Sequence, residues 1–428
     1  MQKKIKSVEE AVSIVNSRQR IFIQGSAATP RTLLNALLNR KNELSKVELI
    51  SITTLGDIDF SPANLGDSFY INSLFVSKNV RQAVNTDCGE YVPVFLSEIH
   101  LLFDRNILPL DFAFIHVSLP DKHGYCSLGT SIDVTISAIR NAKYILAQVN
   151  KQMPRTHGDS IIHISKINAM VEVDEPLPEV DYGEKVDEVS LRIAKYCAEL
   201  ICDGSTLQMG IGAIPDAVLL SLKNHKDIGV HTEMFSDGLI PLVEAGVMTN
   251  KYKTMHRGKI VTSFVAGTKK LYDFVDDNPQ VLFLEASFVN DTSIIRKNPK
   301  VVAINSALEV DITGQVCADS IGTYQYSGVG GQMDFIRGAS LSQDGKPIIA
   351  LKSITKEGYS KIVPFLKHGA GVVTTRAHVH YIITEYGVAD LFGKNLHQRA
   401  LALMHIAHPN HREAIDKEIF ERFGNFKA

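Results

Sequence analysis

Several features that mark other protein classes are scarce or absent in this chain of 428 residues. Lysine and arginine number 45 against 47 aspartates and glutamates, so a formal charge of -2 provides no broad basic surface for nucleic acid or an anionic membrane. No run of about 18 apolar residues occurs, and charges occupy the N-terminal segment where a signal peptide needs its apolar region. We therefore expect no export and no membrane span.

Cysteine is also scarce, and its pattern excludes several chemistries. The chain has five cysteines, an odd number, and no CxxC pair, which favours reduced thiols in a cytosol over a disulfide framework or a zinc site.

The GxSxG, Walker and HExxH motifs are missing as well. The histidines of the HxxHxxH pattern at 405–411 are separated by Pro409, and no nearby acid or cysteine completes a shell. We expect no metal and no redox cofactor.

A repeated segment is the most informative feature that the sequence does contain. Segments 21–38 and 207–222 both read as strand, glycine turn, proline and helix, and they match at an offset of 185 residues. The matched pairs are Gly25/Gly210, Ala28/Ala213, Pro30/Pro215, Leu34/Leu219 and Leu37/Leu222. Only the second copy is followed by a carboxylate, Glu233, where the next strand should end; the first copy has Thr53 and Thr54 there. A duplicated scaffold with one reactive half is predicted.

Short apolar runs that alternate with helical patterns predict an α/β fold with two similar open domains. Segment 172–188 carries two prolines and eight acids against one lysine, which is typical of a linker. The predicted domains are 1–175 and 189–428, joined by a linker over 176–188. Because ligands gather beyond the carboxyl ends of parallel strands, we expect a site that includes Gly25, Gly210 and Glu233, in the cleft between the domains.

Two glycine-rich segments admit more than one interpretation. GIGAIPDAV (210–218) resembles the start of a dinucleotide fingerprint, but Pro215 occupies the position of the third glycine, and a plain strand-to-helix turn also fits. SGVGGQMDF (327–335) is either a tight turn between strands or a ligand-binding loop. In the second case, its backbone N–H groups could approach an oxyanion or a thin, flexible part of a ligand. Lys352 follows the apolar run PIIAL. It is either a solvated lysine at the end of a strand or a contact to a phosphate or another anion. Asp121 and His123 lie in a third glycine-containing turn.

Together with HTEMFSDG (231–238), GTKKLYDF (267–274), TGQVCADSIG (313–322) and TEYGVADLFGKNL (384–396), these strings resemble the acetyl-CoA hydrolase/transferase family over nearly the whole chain. Within that family, the sequence is most similar to 4-hydroxybutyrate and butyryl-CoA:acetate CoA-transferases. The resemblance implies two domains of the CoA-transferase type, a homodimer, and a glutamate that becomes covalently attached to CoA, which falls on Glu233. It also implies a set of oxyanion and CoA contacts: Gly210, Ile211, Gly212, Ala213, Gly328, Gly330, Gly331 and Lys352. At Lys352 the chain departs from the family, since we expect proline after the IIAL run.

A glutamate nucleophile suits CoA transfer, because a serine would give an ester of lower energy, whereas a carboxylate gives an anhydride as activated as the thioester. With an ordinary pKa near 4.3, Glu233 should be ionised at neutral pH and need no activating base. The expected function is CoA exchange between a short-chain acyl-CoA, such as butyryl- or 4-hydroxybutyryl-CoA, and acetate, with CoA as substrate. Two alternatives are an acyl-CoA hydrolase that uses the same glutamate and a non-catalytic ligand-binding protein.

Overall fold

A computed structural model describes residues 4–182 and 186–424 of the chain. Residues 183–185 of the predicted linker, and the outermost residues of both predicted domains, lie outside this description. The described chain divides into two compact units that are not continuous in sequence. Unit 1 contains the chain up to residue 181 with segments 261–289 and 325–330, and unit 2 contains segments 182–260, 290–324 and the chain from 331 onward. The predicted boundaries at 176–188 stay a prediction.

The secondary structure alternates short strands and helices along the described chain. The strands are β1 Arg20–Ile23, β2 Val47–Ser51, β3 Phe69–Ser73, β4 Gly89–Tyr91, β5 Leu110–Ser118, β6 Tyr125–Ser127, β7 Ala142–Asn150, β8 His157–Gly158, β9 Ile161–His163, β10 Ala169–Val173, β11 Thr206–Met209, β12 Gly229–Val230, β13 Met234–Phe235, β14 Ile260–Thr262, β15 Phe264–Val265, β16 Val281–Phe283, β17 Val301–Asn305, β18 Glu309–Asp311, β19 Val316–Cys317, β20 Ser320–Ile321, β21 Tyr324–Gln325, β22 Lys346–Ala350, β23 Ile362–Val363, β24 Tyr381–Thr384 and β25 Gly387–Asp390. The α-helices are α1 Val8–Val12, α2 Arg31–Leu38, α3 Pro62–Leu65, α4 Arg81–Val84, α5 Ile99–Asp104, α6 Thr135–Asn141, α7 Glu188–Leu200, α8 Ala213–Ser221, α9 Ile240–Glu244, α10 Lys269–Val275, α11 Ala286–Val289, α12 Thr292–Ile295, α13 Gln332–Leu341, α14 Leu396–Ile406 and α15 Pro409–Phe423.

Unit 1 is built on a seven-stranded sheet in the order β10-β7-β5-β1-β2-β3-β4, and all six pairings are parallel. The central strands are almost wholly apolar because both faces of a parallel sheet are covered. Phe22, Phe112 and Phe114 are buried in this sheet. Helix α1 packs on α2, and α5 packs on α6.

Unit 2 is built on a six-stranded sheet in the order β12-β11-β17-β22-β24-β25. Its pairings are parallel except for β24 with β25, which are antiparallel. Helix α13 packs against β17 and β22, whereas α7 packs against α8 and against β22 and β24. Because β12 stands first in this strand order, it is an edge strand, paired on one side with β11.

The two units repeat the same local topology at the two copies of the sequence motif. In unit 1, β1 is followed by Gly25 and α2, and β2 is its parallel neighbour. In unit 2, β11 is followed by Gly210 and α8, and β12 is its parallel neighbour. The predicted fold class, two similar open α/β domains, is confirmed. No helix in the described ranges is long and apolar enough to cross a membrane.

Candidate active site

Glu233 is placed at the carboxyl edge of the unit 2 sheet by strands β11 and β12. Thr206 pairs with Gly229 and Leu207 with Val230, so the two strands run in parallel and end at the same edge. The hydroxyl of Thr232 ties the strand ends together: it lies 2.9 Å from the carbonyl oxygen of Met234 and 3.2 Å from that of Met209. Glu233 follows Thr232 directly, so it lies just beyond the carboxyl ends of β11 and β12.

The Glu233 carboxylate is held by an asparagine that the sequence analysis did not single out. Nδ2 of Asn290, a fully buried residue, donates to Oε2 of Glu233 at 3.0 Å and to Oδ2 of Asp334 at 3.2 Å. Asp334 is buried as well, in the first turn of α13. One amide group thus bridges two carboxylates.

The surroundings of Glu233 change its expected protonation. Burial of the carboxyl group raises the pKa of Glu233 to about 7; the hydrogen bond from Asn290 lowers the pKa, and the negative charge of Asp334 raises it. The expectation of an ordinary pKa near 4.3 is therefore wrong. A carboxylate that titrates near neutrality is less solvated than a surface glutamate, and such groups cluster at functional sites.

Gly331, which precedes α13, brings the backbone close to this carboxylate. A Cβ atom at residue 331 would overlap Oε2 of Glu233 and Nδ2 of Asn290. Only glycine fits at this position without displacing one of the two side chains. The structure therefore brings the predicted residues Gly331 and Glu233 together.

The predicted loop 210–213 is an open turn at the start of α8. Gly212 has φ 109°, a backbone conformation that favours glycine, and stands at the N-terminus of the helix. A Cβ atom at Gly210 or Gly212 would meet no other atom within 4 Å, and Ile211 is exposed. The loop has room for a ligand, and its role in binding CoA stays a prediction.

Gly328 and Gly330 belong to unit 1, where they allow close packing of the chain. A Cβ atom at either position would come within about 3 Å of the Phe75 side chain. The hydroxyl of Tyr91 accepts the Val329 N–H at 2.8 Å, and the carbonyl of Gly330 accepts the Leu96 N–H at 3.0 Å. Packing accounts for both glycines, and their contact with CoA stays a prediction.

Lys352 pairs with a helix-capping residue. Its Nζ lies 2.5 Å from Oδ2 of Asp187, whose side chain also accepts the Ser190 N–H at the start of α7. The hydrogen bond from Lys352 contributes most to lowering the pKa of Asp187 to about 2. Lys352 follows β22, which is two strands away from β11, or about 10 Å. Its role as an anion contact stays a prediction.

The histidines and the Asp121 turn have structural partners. Helix α14 ends at Ile406 and α15 begins at Pro409, so the histidines of 405–411 do not share one helix. Among the described residues, no group of three His, Cys, Asp or Glu side chains is arranged to hold a metal.

Asp121 accepts the N–H groups of His123 and Tyr125 and pairs with Arg155 at 2.8 Å, as a structural turn does.

Sequence patterns found only part of this site. Asp334 lies within the string SGVGGQMDF (327–335), and its place in that string is its only signal in the sequence. Asn290 has no such signal, because it lies 57 residues after Glu233 between two short helices, α11 and α12. The fold alone brings it to the carboxylate.

Two family models match this chain. The acetyl-CoA hydrolase/transferase N-terminal domain matches residues 1–182, and the acetyl-CoA hydrolase/transferase C-terminal domain matches residues 267–419. The chain belongs to the acetyl-CoA hydrolase/transferase family. This confirms the resemblance inferred from the sequence strings.

Several relatives of this chain are named as CoA-transferases, and one is named as an acetyl-CoA hydrolase. The chain is 52% identical over 419 residues to a succinyl-CoA:acetate/propanoyl-CoA:succinate CoA transferase of Fasciola hepatica, covering 97% of this chain and 87% of the relative. It is 49% identical over 421 residues to a 4-hydroxybutyrate coenzyme A transferase of Clostridium kluyveri, covering 98% of both chains. A butyryl-CoA:acetate CoA-transferase of Anaerostipes caccae is 35% identical, with 97% of this chain and 96% of the relative covered. The predicted enzyme class, a CoA-transferase, is confirmed.

Two solved structures share the fold of this chain over nearly its full length. RipA from Yersinia pestis superposes with a TM-score of 0.93 at 33% identity and covers 98% of both chains. A 4-hydroxybutyrate CoA-transferase from Porphyromonas gingivalis gives a TM-score of 0.83 at 38% identity, with 99% of this chain and 98% of that chain covered.

Proposed function

We propose that this enzyme moves CoA between a short-chain acyl-CoA and a carboxylic acid through a covalent intermediate on Glu233. The observation that carries the proposal is a glutamate of raised pKa, hydrogen-bonded by Asn290 and next to the backbone at Gly331. Butyryl-CoA and 4-hydroxybutyryl-CoA are the proposed donors and acetate is the proposed acceptor, in agreement with the names of two of the relatives.

The proposed reaction begins when the ionised Glu233 oxygen attacks the thioester carbonyl carbon. A C–O bond forms, the carbonyl electron pair moves to oxygen, and collapse of the tetrahedral intermediate breaks the C–S bond. CoA leaves as a thiolate, and an acyl-glutamyl anhydride remains. No proton is transferred in this step, so no histidine or lysine base is needed.

The released thiolate then attacks the Glu233 carbonyl carbon of the anhydride. A new C–S bond forms, the anhydride C–O bond breaks, and the first acid leaves as a carboxylate. The resulting glutamyl-CoA thioester keeps the activation of the original thioester. A second carboxylate runs the two steps in reverse and leaves with CoA, which gives ping-pong kinetics.

Each step passes through an oxyanion that preset amide groups would stabilise. We propose the N–H groups of loop 210–213 and of Gly328, Gly330 and Gly331 for this role, at about 3 kcal/mol per donor. Asn290 holds the orientation of the Glu233 carboxylate before attack. The attack requires the charged form of Glu233, and because the pKa of this residue is about 7, that form becomes scarcer as the pH falls below 7.

A mass measurement tests the covalent step. The protein is incubated with butyryl-CoA and no acceptor acid, its intact mass is recorded, and any adduct is mapped to a peptide. We expect a CoA adduct on the peptide that contains Glu233, absent in Glu233→Ala and kept in Glu244→Ala, which changes an exposed glutamate. Transfer to acetate at wild-type rates by Glu233→Ala would refute the proposal.

A second candidate is hydrolysis at the same glutamate, since the family description covers hydrolases as well as transferases. In that case CoA release continues without an acceptor acid and no adduct accumulates. An acceptor panel of acetate, propionate, succinate and 4-hydroxybutyrate separates the two reactions, because transfer needs the acid and hydrolysis does not. Binding without turnover by the wild type would favour a ligand-binding protein.

We also propose that the enzyme works in the cytoplasm as a homodimer without a metal or redox cofactor. Its partners are then acyl-CoA and short carboxylic acids, with no nucleic acid or membrane. Light scattering of the purified protein should give twice the mass of one chain. Activity should survive dialysis against a chelator.

A further inference from the structure

The outer edge of β12, the strand that leads to Glu233, is completed by side chains. On the inner side, the Gly229 N–H donates to the carbonyl of Ser205, the residue before β11, at 2.8 Å. The His231 N–H donates to the carbonyl of Leu207 in β11 at 3.0 Å. On the outer side, backbone groups satisfy Ile228, the residue before β12. Its N–H donates to the carbonyl of Val247, and its carbonyl accepts the N–H of Asn250. The next outward-facing groups belong to Val230.

Two side chains satisfy the outward-facing groups of Val230. Oδ1 of Asn250 accepts the Val230 N–H at 2.8 Å, and Nζ of Lys253 donates to the Val230 carbonyl at 2.7 Å. Asn250 thus contacts Ile228 through its backbone and Val230 through its side chain. Its φ of 57° is a left-handed conformation that asparagine adopts more readily than most residues.

Lys253 is an unusual residue to find at such a position. It is buried, and its Nζ also donates to the carbonyl of Lys259 at 2.6 Å. Its stem lies over Gly229, where a Cβ atom would come within 2.7 Å of the Lys253 Cγ. Lys253 forms no ion pair within the described ranges, and burial lowers its pKa to about 7. Burying an amine without a counter-charge is costly, and the two carbonyl hydrogen bonds offset part of that cost.

We propose that Asn250 and Lys253 are positioning residues for Glu233, because they hold the last residues of β12 from the outer side and so fix the carboxylate against Asn290. From the inner side the Thr232 hydroxyl holds the same segment. Glu233 lies three residues beyond Val230, through the buried residues His231 and Thr232, so a shift of Val230 moves the carboxylate. A misplacement of about 1 Å can reduce a rate about 100-fold. This proposal rests on the proposed role of Glu233.

Lys253→Met removes both hydrogen bonds and keeps a long side chain. Asn250→Gly removes the side-chain acceptor and tolerates the left-handed backbone. Lys251→Met is the matched control, because Lys251 is an exposed lysine two residues away. For each variant, kcat, KM, the melting temperature and hydrogen exchange of a peptide spanning 228–235 are measured.

We expect both variants, but not Lys251→Met, to lower kcat about 10- to 100-fold while KM for acyl-CoA stays within about twofold. Exchange should accelerate in peptide 228–235 and not in peptides of the unit 2 sheet distant from β12. The double variant should cost less than the product of the single losses, since both side chains hold one residue.

Unchanged exchange at 228–235, or a loss of activity that matches only the loss of folded protein, overturns the positioning role. Should Lys253→Met fail to fold, Asn250→Gly decides by the same criteria. The exchange measurement needs no activity. A wild type that transfers CoA without using Glu233 refutes the proposed function separately, and with it the role of these residues in catalysis.

Discussion

Asn290 donates its side-chain N–H to Oε2 of Glu233 at 3.0 Å, although the two residues are 57 positions apart. The same amide nitrogen reaches Asp334 at 3.2 Å. The carboxylate proposed as nucleophile is therefore oriented by a neutral donor and lies near a second negative charge.

The activity should depend on pH through Glu233. Since only the ionised carboxylate attacks and burial raises the pKa of Glu233 to about 7, kcat/KM for acyl-CoA should fall about tenfold per pH unit below pH 7 and level off above it. Initial rates from pH 5.5 to 8.5 test this, with circular dichroism as a control for folding. A profile that is flat down to pH 5.5 contradicts it.

Asn290→Ala should weaken catalysis and raise the pKa of Glu233. It removes a hydrogen bond to a charged group, worth about 1.5–3 kcal/mol, so kcat/KM should fall roughly 10- to 100-fold and the acid limb should move to higher pH. Asn298→Ala is the control, because Asn298 is also buried but accepts the N–H groups of Thr254 and Met255. An acid limb that stays in place would argue against the contact.

Asp334→Asn should move the acid limb in the opposite direction. The negative charge of Asp334 raises the pKa of Glu233, so removing it should lower that pKa and increase the fraction of activity kept at pH 6. Asp344→Asn, at an exposed aspartate, is the matched control. The same pH profile for Asp334→Asn and wild type would show that the charge does not act on the nucleophile.

Gly331→Ala should disable the site, because its methyl group overlaps Glu233 and Asn290. We expect more than a 100-fold loss in kcat and a destabilisation of about 1–3 kcal/mol from overpacking. Gly210→Ala meets no atom within 4 Å, so its stability should change little and its KM should rise if the loop contacts CoA. Denaturant unfolding and steady-state kinetics measure both variants; wild-type kcat in Gly331→Ala would contradict the geometry.

Lys352→Met should leave KM for acyl-CoA within about twofold. The pair with Asp187 is partly exposed, so its loss should cost at most about 1 kcal/mol. The lowered pKa of Asp187 means that this stabilisation is present at neutral pH and is lost as pH falls from about 4 towards 2. Unfolding at pH 7 and pH 3 measures it. A rise in KM above fivefold would instead support the CoA contact that the family resemblance implies.

Much of the fold could be predicted from local pattern. The apolar runs at 112–119, 144–149 and 381–387 overlap β5, β7 and β24, and the two repeats each form a strand, a glycine turn and a helix. The make-up of the two compact units is not visible in local pattern, because segments 261–289 and 325–330 belong to unit 1 although they lie far along the chain from the rest of it. Long-range packing of this kind leaves no periodic trace in the chain.

The sequence by itself determined the duplicated α/β units, the family and the position of Glu233 shortly after a strand of the second repeat, because strand periodicity, glycine turns and motif strings are local properties. Only the tertiary structure decided what surrounds that carboxylate. Asn290, Asp334 and Gly331 reach Glu233 from distant segments, and Asn250 and Lys253 complete the edge of its strand. Burial and through-space charge depend on those contacts, and so the pKa of Glu233 is a property of the fold rather than of the sequence around it.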